Sequence, residues 1–197
     1  TTGGRVAQQD IFGSDGQFKY SLKTVYDEKG RVFEQTNALG QVERFTYDEC
    51  GNRVSAQAPS ARTTIQVHYD NLNRPVEQSI HGDDGIALAS RFTYDGRHNL
   101  IAETDPRGNV TSHTYDALNR RIQTTLPPMP GENRVLCSPA VEHGYDAVGN
   151  EIRTVDACGN AIKTAFNSYG KPTLIEHPDG AREEHIYNLD GTLKSSI

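Results

Sequence analysis

A Tyr-Asp pair followed by glycine or asparagine recurs along the chain of 197 residues and limits its possible folds more than any other feature. The segments YDEKGR, YDECGN, YDNLNR, YDALNR and YDAVGN begin at residues 26, 47, 69, 115 and 145. Aligned on the aromatic residue, the units start at Tyr26, Tyr47, Tyr69, Tyr94, Tyr115, Tyr145, Phe166 and Tyr187, which lie 21, 22, 25, 21, 30, 21 and 21 residues apart. Such a period is typical of repeat architectures, in which each unit packs on its neighbours.

A second turn signal without the tyrosine lies about halfway through most units. It reads NALG at 37–40, GDDG at 82–85, DPRG at 105–108, DACG at 156–159 and HPDG at 177–180. A D-x-x-G stretch favours a type I turn, because Asp bonds backbone amides further on and Gly accepts positive φ at the fourth position. Asn73, His98 and Asn119 stand where Gly is missing, and these residue types are enriched at positive φ. Each unit therefore predicts two chain reversals.

The segments between the turns predict β-strands. Stretches such as RVFEQT, VERFTY and TIQVHY are rich in β-branched and aromatic residues and lack helical spacing. We expect an all-β protein, an extended antiparallel β-meander of about sixteen short strands, joined by tight hairpins into a curved or spiralling sheet. The residues with a predicted structural role in the repeat are Tyr26, Asp27, Gly30, Tyr47, Asp48, Gly51, Tyr69, Asp70, Asn73, Tyr94, Asp95, Asp105, Gly108, Tyr115, Asp116, Asn119, Tyr145, Asp146, Gly149, Asp156, Gly159, Phe166, Gly170, Tyr187 and Gly191.

The domain organisation is predicted to be a single repeat array over residues 1–197, with loop insertions near 81–88 and 127–139. The longer insertion, LPPMPGENRVLCSP at 126–139, holds four prolines and is expected to be a surface loop in extended or polyproline form. The array has no capping signals at its ends, so we expect it to be a segment of a longer array.

Charge and cysteine content exclude several classes of partner and site. The net charge is −6, and no Lys/Arg run exceeds Arg120-Arg121, so nucleic acid is not expected to bind. The apolar runs are far shorter than the roughly 20 residues of a membrane-spanning helix, and residues 1–10 lack a signal-peptide pattern. Cys50, Cys137 and Cys158 form no C-x-x-C pair, which leaves their redox state open. Cys50 and Cys158 occupy third turn positions, where an exposed thiol without a neighbouring base is expected.

Two further groups of side chains could be taken for a metal site. His113, His143 and His185 each stand two residues before a repeat tyrosine. Equivalent strands of successive units are about 9.5 Å apart, however, which is too far for shared zinc ligation. Asp83 and Asp84 lack the D-x-D-x-D-G series of a calcium loop. The sequence therefore predicts no catalytic, cofactor-binding or metal-binding residue, and no enzyme.

The row of aromatic residues supports two interpretations. Rings on a polar β-surface could form a platform for sugars or for an unfolded polypeptide. Alternatively, the rings cover the ends of the hairpins as core. Val, Ile, Leu and Phe make up only 40 of the 197 residues, which is little for a hydrophobic core. We therefore favour packing.

The repeated Y-D-x-x-G-[RN] with its interleaved D-x-x-G, over residues 4–191, resembles the RHS or YD-repeat family of bacterial polymorphic toxins, toxin-complex C subunits, wall-associated proteins and teneurins. In that family the repeats form a β-sheet that spirals into a hollow shell, which in toxin members encloses an effector. The resemblance implies a non-enzymatic segment of such a shell in a secreted or cell-surface bacterial protein. Its implied partners are the remainder of the shell and an enclosed polypeptide effector.

Toxicity and self-processing do not carry over from the family. The chain has no stretch like the segment that follows the repeats there, no assignable self-cleavage aspartate and no effector domain. The alternative is a cell-surface adhesion or carbohydrate-binding module that uses the same sheet, with the 127–139 loop as a candidate contact.

Overall fold

The structure is a computed structural model that describes residues 5–58, 63–130 and 136–196. Within these ranges the chain is all β, without a helix. The strands are β1 (Val6–Phe12), β2 (Phe18–Tyr26), β3 (Val32–Thr36), β4 (Val42–Tyr47), β5 (Arg53–Gln57), β6 (Thr64–Tyr69), β7 (Pro75–His81), β8 (Ala87–Tyr94), β9 (Leu100–Thr104), β10 (Val110–Tyr115), β11 (Arg121–Thr125), β12 (Met129–Pro130), β13 (Leu136–Cys137), β14 (Ala140–Tyr145), β15 (Glu151–Val155), β16 (Ala161–Phe166), β17 (Pro172–Glu176), β18 (Arg182–Tyr187) and β19 (Leu193–Ser196).

The chain divides into two compact units, Thr1–Phe92 and Thr93–Ile197. In the first unit each strand from β1 to β8 pairs antiparallel with the next one in sequence. In the second unit β9, β10, β11 and β14 to β19 pair antiparallel in the same sequential order. The predicted all-β meander of antiparallel YD hairpins is confirmed.

Seven hairpins that follow a repeat aromatic residue carry a bulge immediately before that residue. The register shifts by one residue between Val25 and Tyr26, and the same shift precedes Tyr47, Tyr69, Tyr115, Tyr145, Phe166 and Tyr187. A type I turn followed by a left-handed residue produces this kind of bulge and matches the strand twist.

The two segments expected to be loop insertions differ from that expectation in local structure. Residues 82–85 form an ordinary four-residue turn. The neighbouring strands β7 and β8 are each two residues longer than β9 and β10, which accounts for the difference between 25 and 21 residues. In the 127–139 segment, β12 and β13 form a short two-stranded ribbon, and residues 131–135 lie outside the described ranges.

Very little of the protein is buried. Phe45 and Val155 are the only buried hydrophobic residues in the described ranges. The solvent-accessible surface is 13760 Å², whereas a compact protein of this mass would expose about 9,200 Å². No helix in the described ranges is long and apolar enough to cross a bilayer. Backbone ladders and turns, rather than a large core, must therefore hold the hairpins together.

Candidate functional site: the turn edge that follows the repeat tyrosines

The turns that follow the repeat aromatic residues form what we call the Tyr edge of each unit. In the first unit these are the turns at 27–30, 48–51 and 70–73. In the second unit they are those at 95–98, 116–119, 146–149, 167–170 and 188–191. In every turn the fourth residue donates its backbone amide to the carbonyl of the first. The Tyr edge combines capped turns with the repeat aromatic residues that precede them, so it is the candidate site.

The first turn residue caps its own turn with a carboxylate. Asp27 Oδ1 accepts from the backbone amides of Lys29 and Arg31, both at 2.9 Å. Asp27 Oδ2 accepts from Nε of Arg31 at 2.7 Å. This pattern makes an Asx turn and an ion pair from one side chain. It recurs with Asp70 and Asp116, which pair with Arg74 and Arg120.

Other turns replace the arginine by asparagine without losing the bond. Asn52 Nδ2 donates to Asp48 Oδ2 at 2.9 Å. Equivalent pairs are Asp95 with Asn99 and Asp146 with Asn150, and on the opposite edge Asp105 with Asn109 and Asp156 with Asn160. Where the turn begins with Asn, an acceptor can follow instead, as in the bonds from Asn37 to Gln41 and from Asn188 to Thr192. The residue four places after the turn start is thus one whose side chain can hydrogen-bond to the side chain of the first turn residue.

These hydrogen bonds lower the pKa of the turn carboxylates. The backbone amide of the arginine four residues on is the main cause for Asp27, Asp70 and Asp116. The side-chain amide of the asparagine is the main cause of the lowered pKa of five others, namely Asp48, Asp95, Asp105, Asp146 and Asp156. Donors that bind the charged form favour ionisation, so these groups are suited to capping rather than to proton transfer near neutral pH.

The repeat tyrosines bond to the preceding hairpin. The Tyr47 hydroxyl donates to the carbonyl of Val32 at 2.8 Å, and the Tyr69 hydroxyl to that of Arg53 at 3.2 Å. The acceptor is each time the residue that pairs with the previous repeat aromatic residue. Tyr115, Tyr145 and Tyr187 donate in the same way to Leu100, Arg121 and Pro172. Phe166 keeps the ring position but has no hydroxyl.

The predicted fourth-position residues lie where the backbone needs them. Gly30, Gly51, Gly108, Gly149, Gly159, Gly170 and Gly191 all have positive φ. Asn73, His98 and Asn119 also do, with φ of 60°, 71° and 62°. These conformations are strained for most side chains.

The histidines do not meet at a common point. His113 is buried and its ring nitrogens contact Thr124 and Glu103. His143 pairs with Glu151, and hydrogen bonding from this histidine is the main cause of the lowered pKa of Glu151. Among the described residues no group of three His, Cys, Asp or Glu side chains has the arrangement of a metal site.

The other candidate residues lie apart from one another, His185 in β18, Cys137 in β13 and Asp84, Cys50 and Cys158 in turns. His185 lies 3.8 Å from Glu183. Asp84 caps the amide of Ile86. Cys50, Cys137 and Cys158 are free and exposed.

Sequence reasoning missed the groups that link one hairpin to the next. It identified the tyrosines and turn residues and included Arg or Asn, four residues after each turn start, in the motif. It assigned no contact to that position, although Arg, Asn or Lys occupies it in seven consecutive repeat units. It also could not identify the acceptor carbonyls, because these lie in the neighbouring hairpin. The alternation of Arg and Asn after the turn was the available signal.

Known proteins share the repeat of this chain. The model of the RHS Repeat family matches residues 26–63 and 94–127. The chain is 27% identical over 173 residues to Double-stranded DNA deaminase toxin A of Burkholderia cenocepacia (strain H111), covering 85% of this chain and 11% of that protein. It is 28% identical over 204 residues to tRNA3(Ser)-specific nuclease WapA of Bacillus spizizenii (strain DSM 15029 / JCM 12233 / NBRC 101239 / NRRL B-23049 / TU-B-10). This match covers 80% of this chain and 9% of the nuclease. The chain thus spans about a tenth of the length of these curated relatives.

A solved structure has the same architecture. The crystal structure of TcdB2-TccC3 without its hypervariable C-terminal region aligns with 96% of this chain and 14% of that one, at a TM-score of 0.53 and 12% identity. At this identity the likeness shows the fold alone. The Asp-capped turns, the register of the hairpins and the family match agree with one another: residues 26–63 and 94–127 match the RHS Repeat family, and the chain resembles RHS/YD-repeat proteins.

Proposed function

We propose that the chain is a non-enzymatic structural segment, one stretch of the wall of a β-sheet shell that encapsulates or presents a toxin or effector polypeptide. The observation that carries this proposal is how the repeat uses its polar groups. Five repeat tyrosine hydroxyls donate to backbone carbonyls. The turn carboxylates accept backbone amides of their own turns. Groups engaged in this way stabilise a wall and are not directed at a substrate.

The relatives support the same division of roles. Their names describe a deaminase acting on double-stranded DNA and a nuclease specific for a tRNA. This chain matches only about a tenth of either protein. We infer that the matching part is wall in those proteins too, that the named activities belong to other parts, and that this chain works as a single repeat array in a secreted or cell-surface protein.

Direct assays test the absence of turnover. We expect the purified chain to produce no deamination of double-stranded DNA and no cleavage of tRNA over hours at micromolar concentration. Turnover that co-purifies with the folded chain and disappears on heat unfolding would contradict a purely structural role. A heat-treated sample is the matched control for contaminating activity.

Protease protection tests the encapsulation. In a longer protein that joins this array to an effector, the double variant Gly51→Val/Gly149→Val is expected to open the wall, because both glycines have positive φ. The effector should then be digested faster by protease. Gly96→Val is the control, since Gly96 is in a turn with ordinary φ and open space around it. Equal digestion of wild type and double variant, with unfolding of the array verified, would overturn the enclosure.

A carbohydrate-binding module is the second candidate, and one cleft favours it. The first compact unit has an open cleft with a volume of about 470 Å³, and its lining includes Gln8, Gln9, Gln35 and Gln41. Amide side chains offer donors and acceptors that suit sugar hydroxyls. Glycan-array binding that is lost on Gln9→Ala/Gln35→Ala, with melting unchanged, would establish this function. Loss on Tyr115→Ala instead would place the ligand on the aromatic row.

A further inference from the structure

One position of the repeat alternates between two chemistries along the Tyr edge. It is the residue that follows the fourth turn residue, here called the coupling position. Its occupants in order are Arg31, Asn52, Arg74, Asn99, Arg120, Asn150 and Lys171. A cation therefore alternates with asparagine over seven successive repeat units. Any contact made by this position should then recur every two hairpins.

The cationic side chain at the coupling position binds a backbone carbonyl of the next hairpin. Arg31 donates from a terminal guanidinium nitrogen to the carbonyl of Asp48 at 3.1 Å. Its guanidinium carbon lies 4.5 Å from the centroid of the Tyr47 ring. Arg120 makes the same pair of contacts, at 3.0 Å to the Asp146 carbonyl and 4.7 Å to the Tyr145 ring. Neither contact needs a side chain from the next turn's fourth residue, which is glycine in both cases.

Lysine keeps this chemistry at the end of the series. Lys171 Nζ donates to the carbonyl of Gly191 and lies 5.4 Å from the centroid of the Tyr187 ring. A cation over an aromatic ring is attracted by the electron-rich face. The cationic form of the coupling position thus recognises a tyrosine and a carbonyl, both of which every unit with a repeat tyrosine provides.

The asparagine at the coupling position binds a side chain of the next hairpin. Asn52 Nδ2 donates to Asn73 Oδ1 at 2.8 Å. Asn99 Nδ2 donates to Asn119 Oδ1 at 3.0 Å. Both acceptors are fourth turn residues with positive φ, where glycine is the usual choice. An asparagine at the coupling position is therefore followed, in these two cases, by a strained asparagine that accepts its hydrogen bond.

We propose that the coupling position determines which residue the next turn carries, and so sets the contact between successive hairpins. A cation is followed by glycine at the next fourth position in three of four cases, the exception being Arg74 with His98, whereas asparagine is followed by asparagine in two of three cases despite the cost of positive φ. The recognition unit of the array is then a pair of hairpins rather than a single one. This inference concerns assembly of the sheet and is independent of any enclosed cargo.

The third asparagine supplies a natural test, because its partner is missing. The fourth residue of the turn after Asn150 is Gly170, which has φ of +70°. A Cβ added to Gly170 would lie 3.4 Å from Asn150 Oδ1, an ordinary contact distance. An asparagine at 170 would therefore have space and would stand beside a coupling-position amide, as Asn73 and Asn119 do.

The experiment is a double-mutant cycle on this pair. The change in melting temperature caused by Gly170→Asn is expected to be about 2–4 °C more favourable in the wild-type background than in the Asn150→Ala background, the size of one added hydrogen bond in a chain of this length. The cycle cancels the backbone strain of positive φ, since both backgrounds share it. The second control is Gly51→Asn, because Gly51 is the fourth residue of the turn that follows Arg31, a cationic coupling residue. This variant should lower the melting temperature.

The outcomes separate clearly. A gain from Gly170→Asn that requires Asn150, together with slowed exchange of the Asn150 side-chain amide protons in NMR spectra, supports the coupling. An equal change with and without Asn150 would overturn it, as would equal effects of Gly170→Asn and Gly51→Asn. Because residue 170 is exposed, the variant is expected to fold, and circular dichroism verifies this before the comparison.

Discussion

At the scale of the residue, the turns are specified by two requirements that one stretch of four or five residues can meet. The first residue must accept backbone amides, and Asp27 does so with one oxygen while the other binds Arg31. The fourth residue must adopt positive φ, as Gly51 does at 93°. Both requirements are local, so the turn positions could be predicted from the sequence.

The backbone requirement can be tested at Gly51. Gly51→Val should lower the free energy of unfolding by more than ~1 kcal/mol, because a β-branched residue is strongly disfavoured at positive φ. No atom outside the adjoining residues lies within 4 Å of the added Cβ, so crowding of that atom is not the cause of the loss. Gly96→Val is the matched control and should change stability little. Equal melting temperatures for the two variants would disprove the role of φ.

At the scale of the element, hairpins were predictable but their mutual contacts were not. Period and turn chemistry indicate where β4 and β5 begin and end. They do not reveal that the Tyr47 hydroxyl binds the Val32 carbonyl, since that contact depends on the register of strands 15 residues apart. The extra residues of the 25-residue unit were expected in a loop, yet they extend β7 and β8. A strand can lengthen by two residues without changing which side chains share a face.

The tyrosine contacts should contribute measurably to the stability of the hairpins. Tyr47→Phe keeps the ring under Arg31 but removes the hydroxyl that donates to Val32. We expect a loss of about 1 kcal/mol in the free energy of unfolding, the net value of a typical hydrogen bond. Tyr169→Phe is the control, because Tyr169 is 83% exposed at a turn tip. If denaturant unfolding gives the same loss for both variants, the hydroxyl bond does not stabilise the sheet.

At the scale of the whole molecule, stability is distributed over many equivalent turns rather than concentrated in a core. No side chain in the described ranges is fully buried. The repeated capping of turns by aspartate then couples the entire chain to pH. Eight aspartates in Asp-to-Arg or Asp-to-Asn turns have a pKa below the ordinary 3.8.

The sign of this coupling follows from the direction of the shifts. A group whose pKa is lower in the folded state stabilises that state above its unfolded pKa and loses the contribution as pH falls through the folded value. We therefore expect the melting temperature to change little between pH 7 and about pH 5 on account of these groups. Below about pH 3.8 it should fall steeply, because several turns lose their caps over the same range.

Substitution of one cap by asparagine separates this effect from general acid denaturation. Asp156→Asn keeps an oxygen for the amides of Cys158 and Asn160, as Asn167 does naturally for Tyr169 and Lys171. Asparagine does not titrate, so the variant should lose less stability than wild type between pH 7 and about pH 3. The reverse substitution, Asn167→Asp, adds a titrating cap and should make acid unfolding steeper. Parallel curves of melting temperature against pH for all three proteins would show that the turn carboxylates do not link folding to pH.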